Sequence, residues 1–410
     1  MLSSKVKRNQ DIVMILFMCL LIWLGGLTPA AFAAPGPAAA GKAKGVLKVL
    51  DPVGVLVAAE TTMPQAPRLK GFSGKKVWIV VVDYGSTLMP AVAKLLPKYA
   101  PGVKVRTIAV SEKGNPFFML KPEDRPDAVI AGTGVCEATT LEAMNYAKQA
   151  EKLDIPAVFS FSRDILFAYQ EAVDKLQLPG IRVYATTLPD PARPQDPERL
   201  ARGLIPQLIE GLTRPVGADR PRFCFTGPEE KAIAFFESHR WTGGAPVILP
   251  TEERLAALLK GTSRKPAEVI GIMEPGRRQA TVEKVAIQAV MAGCTPEQMP
   301  LALALAELLC QKKVAVELGH RQPPVLQIAV AGPAAGTIGV PGSPGSDSIG
   351  KLARLLLIHL GGVPAPALEA KRLWATVPEQ GKAGESTVAL IDADRAEIWK
   401  QSRTAVDRWR

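Results

Sequence analysis

Apolar positions change their spacing in an orderly way along this chain, and the spacing predicts alternating strands and helices. Residues 76–83 (KVWIVVVD) form one uninterrupted apolar run rich in β-branched side chains, the pattern of a strand buried on both faces. MPAVAKLLPKY follows with helical spacing, and VKVRTIAV returns to strand. The order then repeats. DAVIAG (127–132) reads as a strand, ATTLEAMNYAKQAEKL as a helix, IPAVFSFS as a strand, 163–177 as a helix, and IRVYATTLP as a fifth strand. Strands that alternate with helices of this length build a parallel sheet covered on both faces. The fold class predicted over 50–215 is therefore a doubly wound α/β domain.

The texture changes after PDPARPQDPERLARG and RPVGADRPR, two stretches dense in proline and charge. An α+β domain is predicted over 222–380. It holds a WTGGAPVILP turn, a helix from Thr251, the long helix TVEKVAIQAVMAG, and a second helix starting at Pro296. The strand VLQIAVAG, a Gly/Pro loop at 332–347 and the helix SIGKLARLLLIHLGG complete it. Residues 381–410 read as a basic tail, with Lys400, Arg403, Arg408 and Arg410.

The first 33 residues differ from everything downstream. MLSSKVKRNQD is positively charged, Ile12 to Leu27 is apolar and uncharged, and Ala31 and Ala33 mark a small-x-small site. That is the three-part layout of a secretory signal peptide; left uncut, residues 12–34 would anchor the chain in a membrane. The positive end precedes the apolar run, so both readings send the rest across the membrane to the periplasm or cell envelope. Residues 34–49 then form a small-residue linker.

Composition adds limits. The 410 residues carry a formal net charge of +11, spread along the chain without interleaved aromatics, which argues against nucleic acid as a partner. The surplus reads as a solvated basic surface or as attraction to anionic lipid or wall polymer. Of five Cys, Cys19 belongs to the leader; Cys136, Cys224, Cys294 and Cys310 remain, with no CxxC pair and three full pairings left open.

Candidate chemistry gathers at three places. In GTGVCEATT, Cys136 falls just beyond a strand and before a helix, where ligands collect in open α/β sheets and where a helix dipole favours thiolate. Gly132 and Gly134 would let backbone approach a ligand, whereas Glu137 opposes the thiolate. The plainer reading is a small Cys in a tight turn. In AVMAGCTPEQMP, Gly293 should stop the long helix and Thr295, Pro296 and Gln298 should start the next as a capping box. Cys294 is then either inert in a kinked hairpin or a second thiol facing Cys136. In the Gly-rich loop, Ser346 and Ser348 precede a helix and could contact an anion, but Leu352 stands where a P-loop needs Ser or Thr, which excludes nucleotide hydrolysis. The three histidines, His239, His320 and His359, make no metal-ligand spacing, and no motif calls for a cofactor. His239 reads as structural, and Glu283 and Lys284 as a solvated face.

At these same residues the chain resembles the UGSC-motif proteins, a family named for a (Sec/Cys)-Gly-Ser-Cys motif. The likeness runs through KVLDPVG (48–54), APRLKGFSGKKV (66–77), DAVIAGTGVCEATT, AEKLDIPAVFSFS, RWTGGAPVILPTEERLAALLKG and AVMAGCTPEQMP, spanning 46–366. It implies thiol or selenol redox chemistry with Cys136 in the Sec/Cys position. Here the motif reads Cys-Glu-Ala-Thr, so Thr139 stands where the second Cys belongs, and exchange must be monothiol or use another Cys. Trp241 and Thr242 belong to the family's W-T-D-G turn, whose acid is Gly243 here, and GVPGSPGSDS replaces an Asn-rich loop. Two functions follow as expectations. One is a thiol-dependent envelope enzyme acting on a small molecule at an interdomain cleft, with Cys136 attacking, Cys294 assisting, the 343–350 loop contacting an anion and an envelope thiol reductant as partner. The other is a catalytically altered member that binds a small molecule or protein partner.

Overall fold

The computed structural model describes residues from Gly45 to Trp409, apart from 58–64, 83–86, 111–113, 119, 135–136, 163–181, 187–195, 275, 312–313, 315–325, 339–343, 364–375, 380–383 and 393–397. The leader, Cys136 and the helix expected at 163–177 lie outside the described residues. Val46–Arg410 forms one compact unit.

All five strands expected in the first half are present, as β2 (Lys76–Val81), β3 (Lys104–Ala109), β4 (Ala128–Gly134), β5 (Ala157–Ser162) and β6 (Arg182–Thr186). Strand β1 (Leu47–Leu50) precedes them. The five pair in parallel in the order β3-β2-β4-β5-β6. Helices α1 (Leu88–Tyr99), α2 (Glu137–Lys152) and α3 (Pro197–Thr213) cover the sheet. Strand alternation divides the packing. Val77, Ile79, Ala128 and Ile130 face α1 and α3, while Trp78, Val80, Val129 and Ala131 face α2. Because the connections after β2 and β4 leave on opposite faces, the carboxyl ends of these two neighbouring strands form a topological switch point.

The second half has a mixed architecture. Strand β7 (Phe223–Gly227) pairs antiparallel with β1, and α4 (Glu229–Ser238) and α5 (Glu252–Leu259) follow. Strands β8 (Val269–Met273) and β9 (Arg278–Thr281) pair antiparallel. Helices α6 (Val282–Ala292) and α7 (Met299–Leu309), strand β10 (Leu326–Ala331) and helix α8 (Pro344–His359) build the centre, where α6, α7 and α8 bury most of their side chains. Strands β11 (Thr376–Glu379), β12 (Thr387–Asp392) and β13 (Ile398–Ala405) close a sheet ordered β11-β10-β12-β13.

Two sequence expectations are corrected here. The linker placed at 34–49 runs into β1, because Lys48 to Leu50 find ladder partners in β7. The basic tail at 381–410 is built into the fold: β12 and β13 pair with each other, Trp409 is buried, and Arg408 reaches the Glu307 carboxylate.

A candidate ligand cleft walled by buried ions

Helix α3 turns Leu200, Leu204, Leu208 and Leu212 into the sheet and leaves Arg202, Pro206 and Glu210 facing outward. That outer face, with the last turn of α1, borders a cleft of about 970 Å³ whose far wall comes from β7, α4 and the end of α8. The volume suits a small organic ligand.

Ions organise the wall. Asp51, just after β1, is fully buried; its Oδ1 accepts from the Val53 backbone N–H at 3.0 Å. Its Oδ2 accepts from Arg220 Nε at 2.7 Å. Arg220 also bridges to the Glu210 carboxylate, whose Oε2 accepts from Arg278 Nη2 at 3.0 Å. Behind them, Lys284 Nζ donates to the Asp51 carbonyl at 2.6 Å. The group holds three cations against two carboxylates, and the rim adds Lys98, Arg202, Arg214 and Arg240 against Glu237. Burial works against the Arg220 charge, yet Glu210 and Asp51 hold its pKa above the ordinary value. Burial draws Lys284 below its ordinary value, Asp51 opposing and Arg220 adding to the shift. Desolvation of this kind makes the positive surplus felt more strongly than on an open surface.

A second buried chain abuts the first. Gln288 Nε2 donates to the Pro52 carbonyl at 2.6 Å, and its Oε1 lies 2.6 Å from His359 Nδ1. Burial, then Arg278, Arg220 and Lys284, push His359 down to about 3, with the Trp241 backbone opposing, so its ring is neutral throughout the physiological range. The Trp241 ring meets His359 edge-on at 5.8 Å.

The residues singled out from sequence fall in three separate places. Trp241 lines the cleft. Thr242 stays in its own turn, where Oγ1 accepts from the Gly244 N–H at 3.4 Å. Gly132 and Gly134 are at the carboxyl end of β4, and the reason for glycine at 132 is a strand contact: at φ +152°, a Cβ there would stand 2.4 Å from the Ser160 carbonyl oxygen of β5. Thr139 follows in the first turn of α2, half-buried. Cys294, pinned after Gly293 (φ 83°), ends α6 as expected, and Gln298 Oε1 accepts from the Thr295 N–H at 3.0 Å. It is not among the cleft's residues. Ser348, offered as an anion contact, instead gives its hydroxyl hydrogen to the Gly345 carbonyl at 2.8 Å inside α8, which corrects that expectation. The side chain of Ser346 lies outside the described residues. His239 is structural as expected, its Nδ1 2.8 Å from the Phe235 carbonyl. Glu283 and Lys284 are not a solvated face: Glu283 accepts from Arg222 at 2.7 Å and Lys284 supports Asp51.

Cys224, Cys294 and Cys310 are free thiols. Burial pushes all three up to about 12, Asp51 adding at Cys224 and Glu307 at Cys310, with Ser348 and Lys351 only partly offsetting it at Cys294. Native protein at pH 8 should therefore be alkylated by iodoacetamide at these positions more than about a hundredfold slower than a free Cys, because thiolate is the reacting form. Peptide mapping checks this; labelling at any of the three at an ordinary rate would contradict the burial.

Sequence reasoning missed Asp51, Glu210, Arg220, Arg278, Gln288 and His359. Two carried a signal: Gln288 interrupts the buried run VAIQAVMA, and His359 interrupts LLLIHL. A polar side chain inside such a run must find a partner indoors. Among the described residues, no three His, Cys, Asp or Glu side chains converge as metal ligands would, and no helix is long and apolar enough to cross a membrane. No protein-family model, no curated protein and no solved structure matches this chain.

Proposed function

We propose that this protein binds a small anionic molecule, a carboxylate, in the cleft between α3 and the Trp241–His359 wall. The observation that carries this reading is the charge of the cleft lining: Lys98, Arg202, Arg214, Arg220, Arg240 and Arg278 outnumber Asp51, Glu210 and Glu237 in a site large enough for a ligand. A bound anion would offset part of the positive charge that the three lining carboxylates leave unbalanced. The rim cations Lys98 and Arg202 would add attraction during approach. In this reading the chain is a divergent UGSC-like protein of the cell envelope, of two domains, that serves binding.

The test is thermal unfolding with citrate, gluconate and hexanoate at fixed ionic strength against chloride. At least one carboxylate should stabilise saturably, by about 2.7 kcal/mol at a hundred times its Kd. The exposed double reversal Lys98→Glu/Arg202→Glu should weaken that ligand at least about tenfold. If no carboxylate stabilises beyond chloride, the reading fails.

A second reading keeps a thiol-dependent enzyme with Cys136 as its attacking group, supported by the switch point at the end of β4, two residues before that Cys. It requires an envelope thiol reductant. Cys136→Ser should then abolish thiol exchange with a small disulfide such as oxidised glutathione; unchanged exchange would remove this reading.

A further inference from the structure

Given the anion-binding reading above, the cation that meets the ligand can be found from what the others already hold. Five arginines line the cleft: Arg202, Arg214, Arg220, Arg240 and Arg278. Arg220 and Arg278 are tied to Asp51 and Glu210. Arg202 donates to Glu198 at 3.0 Å, and Arg214 to the Asp219 carbonyl at 2.8 Å. Arg240 is half-buried, and its guanidinium makes no hydrogen bond or ion pair among the described residues. Its backbone sharpens the contrast. Helix α4 ends in a Schellman turn, in which the Arg240 N–H donates to the Glu237 carbonyl at 2.9 Å and the Trp241 N–H to the Phe236 carbonyl at 2.8 Å. Such a turn needs a left-handed residue, and Arg240 takes φ 57°. Glycine adopts that conformation freely, whereas arginine is strained there. Arg277, also left-handed at φ 50°, holds Glu274 at 2.9 Å in return. No described polar group receives the Arg240 cation, so nothing polar within the fold accounts for arginine at this position.

The same turn gathers rings. Phe235, His239 and Trp241 all line the cleft, and all three stay only half-buried. The Phe235 ring centroid lies 4.1 Å from that of His239 and 5.7 Å from that of Trp241. Tyr99, 36% exposed, lines the cleft from the end of α1. Aromatic pairs attract beyond the area they bury, and a carboxylate takes a guanidinium in two parallel hydrogen bonds. An unspent arginine beside a patch of rings therefore suits a ligand that carries an acid and a ring together. We infer that the ligand is an aromatic carboxylate, its acid group held by Arg240 and its ring against Phe235, His239 and Trp241. Arg240 is the binding residue for the charge, and the ring patch sets specificity.

The test compares matched probes on the full chain by titration calorimetry: phenylacetate, cyclohexylacetate and 2-phenylethanol. They match in size and differ in carrying acid and aromatic ring, acid alone, or aromatic ring alone. Phenylacetate should bind at least about fivefold more tightly than either of the others. Arg240→Gly should weaken phenylacetate at least about tenfold. Its thermal midpoint should equal or exceed the parent's, because glycine fits the left-handed position. Arg240→Asn, neutral and tolerant of the same backbone, should weaken binding as much. In protein carrying 5-fluorotryptophan, the fluorine signal of Trp241, assigned through Trp241→Phe, should move further with phenylacetate than with cyclohexylacetate. Equal affinity for those two acids, or an Arg240 variant that binds phenylacetate as the parent does, overturns this inference while leaving the anion site standing. An Arg240→Gly protein that unfolds more readily than the parent does the same, since arginine would then serve the fold. Failure of every carboxylate to bind, citrate included, overturns both.

Discussion

Glu210→Gln lowers the unfolding free energy by about 3–5 kcal/mol, the cost of removing one partner from a buried ion network. Glu210 joins two guanidiniums that have little water, Arg220 with 10% and Arg278 with 2% of the side chain exposed. Arg220 keeps Asp51 after the substitution, but Arg278 loses the carboxylate its Nη2 donates to. The amide preserves shape, so the loss reports charge and not a cavity. Urea unfolding followed by tryptophan fluorescence measures it, with an unchanged slope expected. The double variant Glu210→Gln/Arg278→Met removes the stranded cation together with its partner. It should be less destabilised than the two single losses added together, by at least about 1 kcal/mol of coupling. A loss below about 1 kcal/mol for Glu210→Gln alone would mean that water already solvates the network.

Gly261→Ala costs at least about 3 kcal/mol, for a steric reason alone. Gly261 follows α5, where its N–H closes the helix on the Leu258 carbonyl at 3.0 Å. A Cβ there would stand 1.9 Å from the Pro296 carbonyl oxygen and 2.9 Å from Met299 Cβ. The obstacle is backbone, in the turn that Gln298 ties to the Thr337 carbonyl at 3.0 Å, so it has no flexible end to move aside. The cost should appear in unfolding free energy, with Gly336→Ala as a near-neutral comparison because a Cβ at that position would meet nothing within 4 Å. A Gly261→Ala protein as stable as the parent would show that the α5–Pro296 contact yields easily.

Much of the fold is legible in the order of residues alone. Apolar, β-branched runs mark β2 to β6, and helical spacing marks α1 and α2, because a strand buried on two faces and a helix buried on one leave different traces. The end of α6 is equally readable, since Gly293 takes φ 83° and Thr295-Pro-Glu-Gln298 restarts the chain. Strand β1 is not, because four residues carry too little pattern and its partner β7 lies far along the chain.

The candidate site divides along the same line. Motif reading directs attention to thiols and a serine loop, yet Cys294 is held protonated by burial and Ser348 is spent on α8's own first turn. The ion wall leaves no local trace. Asp51, Glu210, Arg220 and Arg278 come from four separate stretches, and each alone looks like an ordinary surface charge.

What the sequence by itself determined was local: which segments become strands or helices, where α6 stops and where the chain turns helical again, because these depend on residues a few positions apart. Tertiary structure decided what becomes of the charges and thiols. Burial sets the cost of an unpaired ion and the protonation of a thiol and of His359, and burial is a property of residues that meet only when the chain is folded.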